Sequence, residues 1–299
     1  MARRADIRIG ISGWTYRPWR GSFYPPGLRQ KDELAHAAGI FRAIEINGTF
    51  YGLQAPRSFA SWAEQSPEGF VFAVKAPRYI THVLRLRDAR TPLANFLASG
   101  LLRLDAKLGP LLWQLPPSQR FDAELIDAFL ALLPHDTETA ADLARRHDGH
   151  LKDRAWLRAG EHRPLRHALE IRHDSFCDPA FVAMLRRHKV ALVCADTVAW
   201  PRLMDLTADF VYCRLHGATE LYRSGYDEAE LRRWAGRAVA WAGGAPMQDG
   251  TFAASSAGRA RRRDVYMFFD NTDKLRAPYD AQGLMRMLDA RGEDRRRAA

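Results

Sequence analysis

The sequence predicts an α/β fold in which eight parallel strands close into a barrel inside a ring of helices, and three observations predict it. Short apolar runs rich in branched residues recur eight times, helical periodicity fills most of the intervals between them, and every run finishes on polar or charged residues. A chain of 299 residues with 47% hydrophobic composition is large enough for one such core and falls within the usual size of the fold. An open, doubly wound sheet is the alternative use of the same elements.

The elements follow in order. Strands are expected at 7–11, 43–46, 71–74, 111–115, 168–171, 191–194, 211–215 and 265–269, where the apolar runs lie. Asn47-Gly48 stops the second run, and Phe50-Tyr51 follow at once. Helical periodicity places helices at 31–38, 56–65, 92–104, 123–133, 179–188, 228–241 and 279–288. The barrel is irregular in two places. The interval 116–164 is too long for one crossover, so an insertion between strands 4 and 5 is expected, with a charged helical piece at about 137–157. The interval 196–209 is too short for a full helix. The stretch GGAPMQDGTFAASSAGRARRR, 243–263, reads as a mobile loop before the last strand. The reading is thus a parallel (β/α)8 TIM-type barrel in a single domain, 1–299, with its core at about 7–288 and a flexible tail at 289–299.

Composition limits the partners. No apolar run is long enough to span a bilayer, and MARRADIRIGISGW passes straight into strand-like sequence without a signal-peptide core, so a cytoplasmic location is expected. Cys177, Cys194 and Cys213 are isolated and odd in number, without CxxC spacing, and read as small buried thiols. The net charge of +10 suits an anionic small molecule or nucleic acid. Only six basic residues are lysines, however, and Arg259, Arg261, Arg262, Arg263, Arg295, Arg296 and Arg297 fall in the two segments read as flexible. No GxGxxG or GxxxxGK[ST] motif occurs, so no nucleotide cofactor is expected.

In a barrel of this kind the chemistry sits at the C-terminal ends of the strands. Those ends read Ser12-Gly13-Trp14, Glu45-Ile46-Asn47, Lys75-Ala76-Pro77-Arg78, Gln114, Glu170-Ile171-Arg172-His173, Asp196-Thr197, Arg214-Leu215-His216-Gly217 and Asp270-Asn271. Alternate residues of a strand share a face, so Glu45/Asn47, Glu170/Arg172 and Arg214/His216 are each expected to point the same way, toward the barrel axis or mouth.

Eight ordered motifs carry a resemblance. They are GISGWTYRPWRGSFYPPGL, AIEINGTFYG, FAVKAPRYITH, LGPLLWQLPP, ALEIRHDSF, LVCADTVAWP, VYCRLHGATELYRSGY and MFFDNTDKLRAPYDA. Through them the chain from about 7 to 288 resembles the YecE-like family, domain of unknown function 72. The resemblance implies a TIM-type barrel with a pocket at the strand ends and assigns no reaction. Phe176 stands where the resemblance leads one to expect Trp.

Two chemistries fit these residues. Glu45, Glu170, Asp196 and His216 supply carboxylates and an imidazole from four strands, ligand types that suit Zn²⁺, Mn²⁺ or Mg²⁺. Alternatively Lys75, Arg172, Arg214 and His216 hold a phosphate or carboxylate without metal, with Glu45 or Glu170 as general base and His216 as general acid. Pairing of the acids with Lys75, Arg172 and Arg214 is the structural alternative to both. Asn47, Tyr16, Tyr51 and Asn271 complete the expected substrate contacts. Trp19 and Phe23 read as a small core of the first loop, Trp113, Trp234 and Trp241 as packing, and Thr81-His82 as a catalytic imidazole or a loop-ordering bond. His135, His147, His150, His162 and His167 read as solvated. The expected function is a hydrolase or lyase acting on a phosphorylated or nucleic-acid-derived substrate. Non-catalytic binding of such a molecule and a metal-dependent sugar isomerase are the alternatives.

Overall fold

The structure, a computed structural model, describes residues 5–245, 247, 249–254 and 261–297, the side chains of 274 and 292–297 excepted. Eight strands pair in sequence order, all parallel: β1 (Ile7–Ser12), β2 (Ala43–Ile46), β3 (Val71–Lys75), β4 (Leu108–Gln114), β5 (His167–Glu170), β6 (Ala191–Asp196), β7 (Phe210–Leu215) and β8 (Asp264–Phe269). The sheet closes where β8 pairs with β1, from Ile7 opposite Val265 to Ile11 opposite Phe269. Closure leaves no sheet edge, which decides against the open doubly wound arrangement. Gly10 permits the β1–β2 contact, because a Cβ there would lie 1.8 Å from the Ala43 carbonyl oxygen.

Strand alternation sorts the apolar residues into two cores. Ile9, Ile11, Ile44, Ile46, Phe72, Val74, Leu111, Trp113 and Leu169 join the surrounding helices in the outer one. Ala43, Ala73, Leu112, Ala168, Val193, Tyr212 and Phe268 fill the inside of the barrel. Three of these are alanines, which leave room for the Tyr212 and Phe268 rings, 5.2 Å apart. At the N-terminal end Arg166 plugs the barrel, donating to Asp264 at 2.8 Å and Asp209 at 3.0 Å.

The helices are α1 (Glu33–Ile40), α2 (Gly48–Tyr51), α3 (Pro56–Glu64), α4 (Arg90–Ala98), α5 (Ala123–Leu130), α6 (Thr137–Ala144), α7 (Pro179–Arg187), α8 (Glu228–Gly243) and α9 (Arg276–Arg297). Among the described residues no helix joins β6 to β7, as the short interval requires. The insertion between β4 and β5 is α6, capped by Asp136 accepting from the Thr139 amide at 2.7 Å, followed by a 3-10 segment at Gly149–Arg154. Asp227 and Glu230 form a capping box at the start of α8, which lays Trp234 and Trp241 against the barrel.

Four local expectations change. Residues 289–297, read as a tail, continue α9, while 298 and 299 lie outside the described residues. Within the expected loop 243–263 the Asp205 carboxylate accepts from the amides of Ala253 and Ala254 at 2.8 and 3.0 Å, which ties that part down; 246, 248 and 255–260 lie outside the described residues. His167 is fully buried rather than solvated, accepting from Trp113 Nε1 at 3.1 Å and facing the Pro134 carbonyl at 2.7 Å. Cys177 is exposed, unlike Cys194 and Cys213. Trp19 and Phe23 form the small core of the first loop together with Tyr24, as read. Among the described residues no helix is long and apolar enough to cross a membrane.

Candidate active site

Above the apolar filling, the next inward position of most strands is polar: Ser12, Glu45, Lys75, Gln114, Glu170 and Arg214, all buried. Arg214 is the hub. Its Nε and Nη2 clamp the two oxygens of Glu45 at 3.0 and 2.9 Å, Nη1 donates to Glu170 at 2.7 Å and to Gln114 at 3.5 Å, and Nη2 also donates to Asp270 at 2.8 Å. Five N–H groups meet five acceptors, so none is left over. Burial works against the guanidinium charge, but Asp270, Glu45 and Glu170 outweigh it and hold its pKa above the usual arginine value. Glu45 is equally saturated, since Ser12 Oγ donates to one oxygen at 2.8 Å and the Tyr212 hydroxyl to the other at 2.6 Å.

This geometry corrects several expected roles. Arg214 has no donor to offer a substrate anion, and Glu45 has no lone pair for a metal or a substrate proton, so both are structural. Asp196 leaves the axis altogether. It follows Leu192 and Cys194 on the outer face of β6, where its carboxylate accepts from Arg202 at 2.7 Å and from Trp234 Nε1 of α8 at 3.3 Å. Asn271 also lies away from the mouth, donating to the Ser224 carbonyl at 3.0 Å and to Asp280 at 2.8 Å. Tyr51 is exposed and, with Phe50, Leu53, Tyr79, Leu84 and Asn95, lines a cavity of about 540 Å³ that none of the hub's hydrogen-bonded acids lines. With Asp196 elsewhere and Glu45 occupied, the expected Zn²⁺, Mn²⁺ or Mg²⁺ ligand set is not assembled. Among the described residues no group of three or more His, Cys, Asp or Glu is arranged to hold a metal. Asp196→Ala is therefore expected to lower stability by about 1–3 kcal/mol, through the stranded Trp234 N–H. The urea midpoint measures that loss, and ligand binding at the mouth should not change.

Other groups keep open valences. His216 is fully buried, yet neither ring nitrogen has a hydrogen-bond partner. Nδ1 lies 3.1 Å from Asp270 Oδ2 without hydrogen-bond alignment, and Nε2 lies 3.9 Å from Glu170 Oε2. Burial pushes His216 below the usual imidazole range, against the pull of Asp270, and Arg214 adds to the depression, so the ring is neutral at pH 7. Burial raises the Glu170 carboxyl, but Arg172 and Arg214 overcome that and keep it ionised. Burial is also the largest influence on Asp270 and raises it, but Arg214, His216 and Lys75 together outweigh it and hold the carboxyl below its ordinary range.

Three further residues face this cluster. Lys75 Nζ sits 4.3 Å above the Phe50 ring and has no hydrogen-bond partner among the described residues. Burial, and then the charge of Arg214, lower its pKa to about 8 in spite of Asp270, Glu45 and Glu170. Arg172 donates through Nε to Glu170 at 2.7 Å and through Nη2 to the Tyr222 hydroxyl at 3.2 Å, and stacks on Trp200 at 3.9 Å. Its Nη1 has no partner among the described residues. Asn47 Oδ1 is buried and unpaired, beside the Tyr16 hydroxyl, which donates to the Ser12 carbonyl at 2.8 Å. Thr81 Oγ1 and His82 Nδ1 pair at 2.9 Å, the loop-ordering alternative, and His82 packs edge-on against Phe50.

Asp270, Tyr212, Ser12 and Gln114 complete the cluster and were not among the expected site residues. Period-two spacing held the signal for two of them: Tyr212 precedes Arg214 by two, and Asp270 follows the inward Phe268 by two. Formal charges balance, with Glu45, Glu170 and Asp270 set against Arg172, Arg214 and Lys75.

Fold and site together define a TIM-type (β/α)8-barrel protein with a buried ionic cluster at the C-terminal mouth. The chain belongs to the family described as protein of unknown function DUF72, whose family model matches residues 8–299. It is similar to the UPF0759 protein YunF of Bacillus subtilis strain 168, 30% identical over 122 residues that cover 37% of this chain and 40% of the relative. A similar match, 30% over 114 residues, covers 35% of this chain and 39% of the UPF0759 protein YecE of Escherichia coli K12. These matches thus span about two fifths of the curated relatives' length. Two solved DUF72 structures share the fold. That from Thermotoga maritima superposes with a TM-score of 0.70 at 24% identity, covering 95% of this chain and 99% of the other. That from Enterococcus faecalis V583 gives 0.66 at 17% identity, covering 95% of each.

Proposed function

We propose that the chain is an enzyme, of the lyase or hydrolase kind, that carries out acid–base chemistry on a small anionic molecule at the barrel mouth. The observation that carries this reading is His216: a neutral imidazole, fully buried, with two unmatched nitrogens between Asp270 and Glu170. An unmatched buried polar group costs about 1–3 kcal/mol, a cost that non-catalytic binding gives no reason to bear. Glu170 orients Arg172, whose open Nη1 holds the anion, and Lys75 supplies the second positive charge. Phosphate and carboxylate both suit that pair. The depth of the cluster favours a small molecule over a polynucleotide, since Glu45, Glu170, Arg214 and His216 are all fully buried. A metal-dependent isomerase has little support, because its ligands are not together.

The test is a thermal-shift screen of phosphate, phosphoglycolate, glyoxylate and pyruvate on the wild type, Arg172→Met and His216→Phe. At least one anion should stabilise the wild type, with most of that gain lost in Arg172→Met. Stabilisation by none of them, or an equal shift in all three proteins, would count against the reading.

A further inference from the structure

Lys75 is unusual among the charged residues of the mouth because it is placed there without a hydrogen-bonded counter-ion. Arg214 and Arg172 each donate to named carboxylates, whereas the Lys75 ammonium makes no hydrogen bond among the described residues and sits 4.3 Å above the face of Phe50, in the field of Asp270, Glu45 and Glu170. Its stem emerges from the end of β3 into the same layer as Glu45, Glu170 and Arg214. Yet the cluster needs its positive charge, since without it three carboxylates face two guanidiniums.

We propose that Lys75 condenses with the carbonyl carbon of a small anionic aldehyde or ketone, a 2-oxo acid being the simplest, and carries it as an imine. The proposal rests on the acid–base reading above and names its substrate class. The chemistry balances: the ammonium and the carbonyl compound give an iminium and one water, the nitrogen keeping one proton and the water taking two. Charge is conserved as well, so the iminium stays in the field of the same three carboxylates that acts on the ammonium. Arg172 Nη1 holds the anionic group. Once formed, the iminium draws electrons from the neighbouring carbon, and a proton released there passes to the neutral imidazole of His216. The amine is ready for attack, because a pKa of about 8 in place of 10.5 leaves about 300 times more free amine at neutral pH than an ordinary lysine has. Other roles fit less well: a structural counter-ion would be expected to touch a carboxylate, and a simple anion clamp does not require its stem to be buried.

The experiment is reductive trapping. The full chain is incubated with pyruvate or glyoxylate and cyanoborohydride from pH 6 to 9, and the modified lysines are mapped by mass spectrometry. Lys31, Lys152 and Lys189 are exposed and serve as internal references. The expected result is a saturable adduct on Lys75 forming at least about 10-fold faster than on those three, as the greater free-amine fraction implies. In Lys75→Arg only the reference labelling should remain, and circular dichroism with a thermal melt confirms that this variant folds. Labelling of Lys75 no faster than the references overturns the imine. Should pyruvate still stabilise the wild type and not Arg172→Met, the acid–base site stands without it. Should neither be seen, both readings fail.

Discussion

Replacing Arg214 with methionine is expected to cost about 3–5 kcal/mol, as removal of one partner from a buried ion pair does, or to prevent folding outright. The guanidinium is fully buried, and its five N–H groups are all engaged with the surrounding acceptors. Without it Glu45 keeps only Ser12 and Tyr212, Glu170 keeps Arg172, and the barrel mouth holds an excess of negative charge. For a domain of this size that loss corresponds to a melting temperature lower by about 6–20 °C. Arg214→Lys should recover only part, because an ammonium offers three donors where the site has five acceptors. The pH dependence carries a sign. Glu170 and Asp270 have folded pKa values below their unfolded ones, so the stability they draw from Arg214 is fully present above the ordinary carboxylate range. It is lost as pH falls through the depressed folded values. The gap between wild type and Arg214→Met should therefore be widest at neutral pH and narrow in acid. Urea midpoints at pH 7 and pH 3 measure it, and matching midpoints at pH 7 would show that the cluster does not hold the barrel.

His216→Phe is expected to separate chemistry from stability. The imidazole makes no aligned side-chain hydrogen bond, so its removal strands nothing and lifts the cost of a buried unmatched group, and unfolding free energy should be equal to wild type or higher by up to about 3 kcal/mol. If the ring moves the proton beside a lysine-bound carbonyl, the rate should fall by about 10²–10⁴-fold. Incorporation of deuterium into the methyl group of pyruvate in D₂O, followed by NMR, reads that step without knowledge of the physiological product. An unchanged exchange rate in a folded variant would remove His216 from the reaction. The contrast with Arg214 is physical: one residue has every donor engaged and holds the mouth together, the other has none engaged and is available.

Much of the fold was legible in the chain. Eight apolar runs and the helical periods between them placed all eight strands within a few residues, because a buried parallel strand is a short apolar run whatever surrounds it. Polar residues at every strand end marked the mouth, and period two correctly grouped Glu170 with Arg172 and Arg214 with His216. The inward or outward phase of each strand was harder. A barrel strand is apolar on both faces, so ALVCAD gives no sign that Asp196 follows Cys194 outward toward Trp234.

By itself, then, the sequence determined the (β/α)8 architecture and the end of the barrel where acids, bases and cations gather, since both follow from local pattern and strand polarity. Which of those groups remain chemically free was decided only by the tertiary structure. Glu45 meets Tyr212 and Arg214 across 167 and 169 residues of chain, and Asp270 meets Arg214 across 56. Hydrogen-bond valence is a count over all neighbours in space, and only barrel closure brings those neighbours together: it uses up Arg214 and Glu45, and it leaves Lys75 and His216 open.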